Sequence, residues 1–486
     1  MTRVSKVLVV GSGGNAISAA VRLWQAGVSG CRIITAHSDF GGAWFANRYP
    51  GCGTDTIGFA YQLECALGAP WSSTYPNQPE LLDYFRKVAR DFGLYGYADF
   101  ETEMTSCSWD SDALRWAVDT TQGRYFCQHL VLATGFLDQP IESTIPGAHI
   151  FGGRTFHSQH WPDGYTGEGD RIAVVGSGSS AIQIVPAMQA IARSVKAFQR
   201  TPTWVIPKDE RHFSDEERER WTNDLDLLRE ERAKIDEQRK LAAKGRLGAD
   251  PAFLDAMQAK ALHFLEDQVK DPELRKLLTP DHNFGCKRRL VSDDWYWSLQ
   301  QPNVELVPEA AARITADAII SQSGRRFTVD TIVLATGYRW GTQILDRVQR
   351  RDGQSVSQAQ AGHPRAYKSI MVSKCPNLYL VGGPAPNGRS GGDGLRTGEI
   401  VSPYIVAAIT HMDRAGVRAL EVREEAETEW KRRADEVLAK GPATSGQCTN
   451  YITDKLGCNM AEWPGDYEHQ MRQMSCFIAE DYQEPS

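Results

Sequence analysis

Apolar residues along this chain fall into two patterns. Some form short unbroken runs, Val7-Leu8-Val9-Val10 and Ile172-Ala173-Val174-Val175, which suit strands buried on both faces of a parallel sheet. Others recur at helical spacing, from Ile17 to Ala26 and from Ile182 to Ile191. Each run passes to its helical stretch through a glycine turn, Gly11-Ser12-Gly13-Gly14-Asn15-Ala16 in the first and Gly176-Ser177-Gly178-Ser179-Ser180-Ala181 in the second. The pattern predicts strands over Lys6–Val10, Arg171–Val175 and Ser194–Phe198, and an α/β fold with doubly covered parallel sheets.

The spacing of the turns has a chemical meaning. In a GxGxxA turn between strand and helix, Gly11 permits the tight bend and Gly13 lets the backbone approach a pyrophosphate. Gly14 continues the turn, and small Ala16 lets helix and strand pack closely. Gly176, Gly178, Ser179 and Ser180 repeat the arrangement, so two Rossmann-like units for two dinucleotides are expected. Near-identical runs, Leu130-Val131-Leu132-Ala133-Thr134-Gly135 and Ile332-Val333-Leu334-Ala335-Thr336-Gly337, read as strands at which the chain leaves each unit. The expected partition is a first dinucleotide domain over 1–165, a second over 166–340, and a segment 341–486 that completes the first and the substrate pocket. A polar insert at about 208–280 reads as helices within the second domain, opened by the capping-box pattern Ser214-x-x-Glu217.

Composition narrows the function classes. At 486 residues, the chain has room for about three domains of ~150 residues. Hydrophobic residues at 41% and charged residues at 24% are ordinary globular values, which excludes disordered and collagen-like classes. A net charge of -7 gives no positive field for nucleic acid or an anionic membrane, so small molecules are the expected partners. No run approaches the ~18 apolar residues of a spanning helix, and the N-terminus has no secretory pattern, so a cytoplasmic location is expected. Ten cysteines form no CxxC pair and no zinc-spaced cluster; buried free thiols and no metal are expected.

The sequence resembles the class B flavoprotein monooxygenases, and within them the Baeyer-Villiger monooxygenases, over nearly its whole length. The most specific match is Phe151-x-Gly153-x-x-x-His157-x-x-x-Trp161-Pro162, placed just before the second glycine turn. Gly41-Gly42-Ala43-Trp44, Asn47 to Gly51, Asn77 to Leu81, Phe198 to Pro202 and Cys286-Lys287-Arg288 follow the family's order. The resemblance implies FAD on the first unit, NADPH on the second, and insertion of one O2 oxygen beside a ketone carbonyl, through a flavin C4a-peroxide, to give an ester or lactone. A 2′-phosphate needs cations past the second strand of its unit, where Arg200 stands; the resemblance adds Thr201 and Lys287 around it. It makes Arg288 the fixed cation that stabilises the anionic oxidant and the carbonyl oxyanion, and Asp55 the carboxylate that orients it. Gly42, Trp44 and Tyr49 are expected beside the flavin, and Thr336 and Gly337 among the cofactor contacts. His157 and Trp161 are expected to couple the domains rather than to reach substrate.

Two positions depart from the family pattern. Thr35 stands where a Glu usually binds the adenosine ribose, which predicts weaker FAD retention with help from His37, Ser38 or Asp39; Tyr451 stands where a Trp is common beside the nicotinamide. The loop Asn387 to Gly394 is glycine-rich and reads as a substrate-shaping element. Alternatives are oxygenation of a sulfur or nitrogen centre on the same scaffold, a dithiol-disulfide reductase, for which Cys52 and Cys65 are poorly spaced, and a non-catalytic binding module. The sequence leaves the oligomeric state and the particular substrate open.

Overall fold

A computed structural model describes residues 3–142, 144–382, 385–389, 394–446 and 448–485. The first strand runs from Arg3 to Val10, three residues earlier than the apolar pattern predicts, because Arg3 to Ser5 pair with Tyr125 to Cys127 although Arg3 and Val4 are exposed. It lies between Cys31–Ile34 and Gly123–Leu132, parallel to both. Val7, Leu8 and Val9 are fully buried, as a central strand covered on both faces requires. The sheet continues through Arg115–Thr120 and Met104–Asp110 to Val348–Gln349 on one side and to Ala98–Asp99 on the other. Leu378–Leu380 pairs in parallel with Leu130–Leu132, so the C-terminal segment returns to this first sheet. Gly14 opens the helix Gly14–Gln25, and a Cβ there would lie 2.2 Å from Leu395, on the helix Gly394–Ala415.

The second sheet is parallel throughout, in the order Val304–Val307, Ser194–Phe198, Arg171–Val175, Thr331–Leu334, Arg154–His157. Its central strand is followed by the helix Ser179–Gln189. Arg154–His157, part of the diagnostic motif, belongs to this second sheet. Gly153 precedes it because a Cβ there would stand 2.2 Å from the Asp330 carbonyl oxygen.

The insert forms helices Asp215–Asn223, Leu225–Arg246, Pro251–Gln268 and Pro272–Leu278. Ser214 and Glu217 close the capping box that their spacing predicts. The charge-rich face of Leu225–Arg246 is only partly solvated. Arg232 and Asp236 are buried, Arg232 against Glu64 and the Gln62 carbonyl oxygen, Asp236 against Arg396. These ion pairs tie the insert to the first unit. Among the described residues, no helix is long and apolar enough to cross a membrane.

The expectation of free thiols needs one correction. Cys286 and Cys448 are joined as a disulfide, a pairing 162 residues apart that no local spacing signals. The other eight are free, and of these Cys52, Cys107, Cys127 and Cys375 are buried.

His129, on the strand Gly123–Leu132, is fully buried, and burial lowers its pKa to about 3. Its Nε2 has no partner among the described residues. Because the folded-state pKa lies below the unfolded value of 6.5, this neutral imidazole stabilises the fold above 6.5, and the contribution falls away as pH drops from 6.5 toward 3. Unfolding midpoints measured against pH should therefore fall faster below 6.5 in the native protein than in His129→Gln, by up to about 5 kcal/mol in stability. Parallel curves would reject this source of acid sensitivity.

Candidate active site

Both glycine turns are built for close approach of backbone. Gly11 has φ +131° and Gly176 φ +133°, and a Cβ on either would stand 2.4 Å and 2.2 Å, respectively, from the carbonyl oxygens of Ala133 and Ala335. Those oxygens belong to the two Ala-Thr-Gly segments. Gly42, at φ +55°, packs backbone to backbone on Gly13, a Cβ at 42 lying 2.5 Å from Gly13 Cα. Ala16 is fully buried, as its packing role demands.

The helices that follow these turns differ from most others in the chain. The helices at Gln78, Asp215, Leu225 and Pro251 each have a side chain accepting from a first-turn N–H. Those that follow Gly13 and Gly178 have no side-chain cap and no acidic residue in the first turn. Their first N–H groups and positive dipole ends suit an anion. A Cβ on Gly178 would meet nothing within 4 Å, so the space in front of the second helix is open. Beside the first turn, the buried Thr134 hydroxyl has no partner among the described residues. These features fit two dinucleotides.

At the end of the strand Ser194–Phe198, exposed Arg200 is close enough to Lys287 to perturb it. Burial lowers the Lys287 ammonium most, Arg200 lowers it further, and Asp281 opposes both. Two crowded cations are what a phosphate dianion would relieve. Ser177 donates to the Thr201 carbonyl oxygen at 2.9 Å, which joins this loop to the glycine turn.

Arg288 and Asp55, 233 residues apart, meet as a direct ion pair through Arg288 Nη2 and Asp55 Oδ2. Both side chains keep roughly a third of their surface or less, at 30% and 27%. The Asp55 carboxylate is the largest influence raising the Arg288 guanidinium; burial opposes it, and Tyr451 and Tyr61 reinforce it. Arg288 is therefore a cation at every working pH. The Cys286–Cys448 disulfide fastens the segment that carries Arg288 to the one that carries Tyr451. Tyr451 stacks on Trp340 at 6.0 Å, and Trp44 donates from Nε1 to the Tyr61 hydroxyl at 3.1 Å.

Other expected residues are used between the units. Tyr49 is buried and donates from its hydroxyl to Gln183 Oε1 at 2.8 Å, on the helix after the second turn. Thr336 donates to the Ile141 carbonyl oxygen at 2.8 Å, so its hydroxyl is engaged. His157 Nε2 lies 3.1 Å from the Gly337 carbonyl oxygen, and its Nδ1 accepts from the Gln159 N–H. Burial lowers its pKa, and this pair of bonds matches one neutral tautomer. Trp161 donates to the Tyr165 carbonyl oxygen at 2.9 Å and packs in the core that also holds Tyr49.

Thr35 donates to Ser12 Oγ at 3.0 Å and is buried, so its hydroxyl braces the glycine turn. Asp39 pairs with Arg86 and accepts from Tyr95, while His37 lies against Phe45. Of the glycine-rich loop, Ser390 to Asp393 lie outside the described residues, as do Gly383 and Pro384, which follow the strand Leu378–Leu380.

Two arginines at the site escaped the sequence reading. Arg289 feels both Asp55 and Arg288. Arg389 lies over the rings of Phe136 and Trp340 at 5.1 and 5.7 Å, and its Nε has no partner among the described residues. The first stands next to a residue already singled out; the second lies in the glycine-rich loop Asn387 to Gly394, whose composition does not mark the arginine itself.

Comparisons with known proteins agree with this geometry. The family model "Flavin-binding monooxygenase-like" matches residues 6–221. A Baeyer-Villiger monooxygenase of Streptomyces coelicolor is 32% identical over 95% of this chain and 89% of its own length. One from Pseudomonas aeruginosa is 30% identical over 95% and 88%. Among solved structures, a closed cyclohexanone monooxygenase superposes with a TM-score of 0.88 at 25% identity over all of both chains. A steroid monooxygenase bound to NADP superposes with a TM-score of 0.86 at 26% identity over 99% of each. With its two dinucleotide turns, its Arg288–Asp55 pair and full-length likeness of this order, the chain belongs to the Baeyer-Villiger monooxygenase family.

Proposed function

We propose that this enzyme inserts one oxygen atom of O2 next to a ketone carbonyl, with FAD on the unit opened by Gly11 and NADPH on the unit opened by Gly176. The domain limits go with this reading, with one boundary moved from the expected residue 165: because Arg154–His157 pairs in the second sheet, residues up to about 153 and 341–486 serve FAD and the substrate pocket, and about 154–340 serve NADPH. The observation that carries it is the permanently charged Arg288, paired with Asp55. The bound cofactors supply the electrons and the activated oxygen. Arg288 offers a fixed positive charge to oxygen atoms that become negative, both on the oxidant and at the carbonyl, and Asp55 holds the guanidinium in place. Oxygenation at sulfur or nitrogen has no carbonyl oxyanion to stabilise, so the paired cation favours the ketone reading. The names of the cyclohexanone and steroid monooxygenases agree with ketone substrates.

Arg200, Thr201 and Lys287 are assigned to the 2′-phosphate. Hydrogen bonds to charged groups contribute about 1.5–3 kcal/mol, so Arg200→Ala should raise the KM for NADPH about 10- to 100-fold and leave that for NADH nearly unchanged. Equal changes for both coenzymes would remove Arg200 from the phosphate site. The overall reading is tested by product analysis with labelled O2 over a panel of ketones, sulfides and amines. One labelled oxygen in an ester or lactone is the expected result; turnover of sulfides and amines alone would overturn it.

A further inference from the structure

Away from both glycine turns, His363, Asp435 and Cys458 bring one ligand atom each to a common point. All three atoms lie within 4.8 Å of one another. His363 stands in a loop after the helix Val356–Gln360, Asp435 on the helix Glu424–Leu438, and Cys458 in the turn bridged by Thr453 and Asn459. Nothing in the oxygenation chemistry uses them.

The surroundings are arranged as outer partners of a metal site. His363 Nδ1 lies 2.5 Å from Asp454 Oδ2, a carboxylate with 1% side-chain exposure, which leaves Nε2 to face the cluster. The other oxygen of Asp454 accepts the backbone N–H groups of Leu456 and Cys458, both at 2.9 Å, and so fixes the turn that carries the thiol. Lys431 donates to Asp435 Oδ1 at 2.5 Å, while Oδ2 lies 3.3 Å from His363 Nε2. A ligating imidazole normally gives its other N–H to a carboxylate, and ligating carboxylates are themselves hydrogen-bonded; both features are present.

Distance and charge agree. Bonds of about 2.0–2.3 Å to zinc place tetrahedral ligand atoms roughly 3.3–3.8 Å apart. The His363–Asp435 pair already has that spacing, so the cluster needs to contract by about 1 Å at most. Two carboxylates and a thiolate against one ammonium leave two negative charges, which a divalent ion cancels. A set of sulfur, nitrogen and oxygen suits Zn2+ and disfavours Mg2+ or Ca2+.

We propose that His363, Asp435 and Cys458 bind one Zn2+, with Asp454 orienting His363 and the fourth position left to water. Such an ion would staple the turn between Tyr451 and Met460 to the helix Glu424–Leu438, and Met460 accepts from the Asn387 N–H beside the site. This inference does not rest on the oxygenase reading.

The test uses the whole flavoprotein, stripped with chelator and titrated with ZnCl2. One zinc per chain should bind, and alkylation of Cys458, followed by peptide mass spectrometry, should slow at least about tenfold while exposed Cys476 reacts unchanged. Asp454→Asn should weaken binding about 10- to 100-fold, and His363→Gln more. Should either variant fail to fold, protection of Cys458 in the native protein decides alone. Zinc uptake that is unchanged in folded His363→Gln, or that leaves Cys458 as reactive as before, marks adventitious binding and overturns the proposal. So does the absence of uptake, the outcome expected if the His363 ring only bridges Asp454 and Asp435.

Discussion

Replacing Arg288 with Ala should lower the kcat for ketone conversion about 1,000-fold, the upper end of what loss of one donor to a developing oxyanion costs. The reason is the persistence of its charge. Paired with Asp55, the guanidinium never deprotonates at working pH, so its field costs no reorganisation when negative charge appears on oxygen. The same variant leaves the Asp55 carboxylate without its partner, so Arg288→Lys is the better control for placement alone. Lysine keeps the charge and loses the forked geometry, and an intermediate rate is expected. NADPH should still be consumed by Arg288→Ala, with its electrons recovered as hydrogen peroxide instead of ester. Ester yield and peroxide measured together check this, and full ester yield in Arg288→Ala would end the assignment.

Gly176→Ala should raise the KM for NADPH about 100-fold while the purified protein stays yellow with FAD, and Gly11→Ala should do the converse. At φ near +130°, a Cβ strains the backbone, and at each position it would collide with a carbonyl oxygen of the adjoining Ala-Thr-Gly segment. Strain of this type costs about 1–3 kcal/mol, and the overlap adds to it. About 2.7 kcal/mol corresponds to a factor of 100 in binding. Flavin content by absorbance and coenzyme saturation by steady-state kinetics separate the two lobes. Loss of FAD in Gly176→Ala would show that the turns do not serve separate dinucleotides.

Much of this molecule is readable from its one-dimensional pattern. The strands Arg171–Val175 and Ser194–Phe198, both glycine turns and the Ser214–Glu217 box appear where local chemistry puts them. The resemblance also directs attention to Arg288 and Asp55. It misses Arg389, whose place over Phe136 and Trp340 depends on three separate segments converging. The charge of the insert carries no signal that Arg232 and Asp236 are buried, because that burial depends on partners in the first unit. Thr35 looks like a weakened ribose ligand in sequence, yet its hydroxyl braces Ser12.

The division has a physical basis. Strand and helix period, turn glycines and caps act within a few residues, so the order of amino acids alone determined the α/β alternation and the two dinucleotide turns. Folding decided which distant groups meet: Arg288 with Asp55, Cys286 with Cys448, and His363 with Asp435, Asp454 and Cys458. Those meetings depend on loop closure and side-chain packing in three dimensions, for which the sequence carries no local signal.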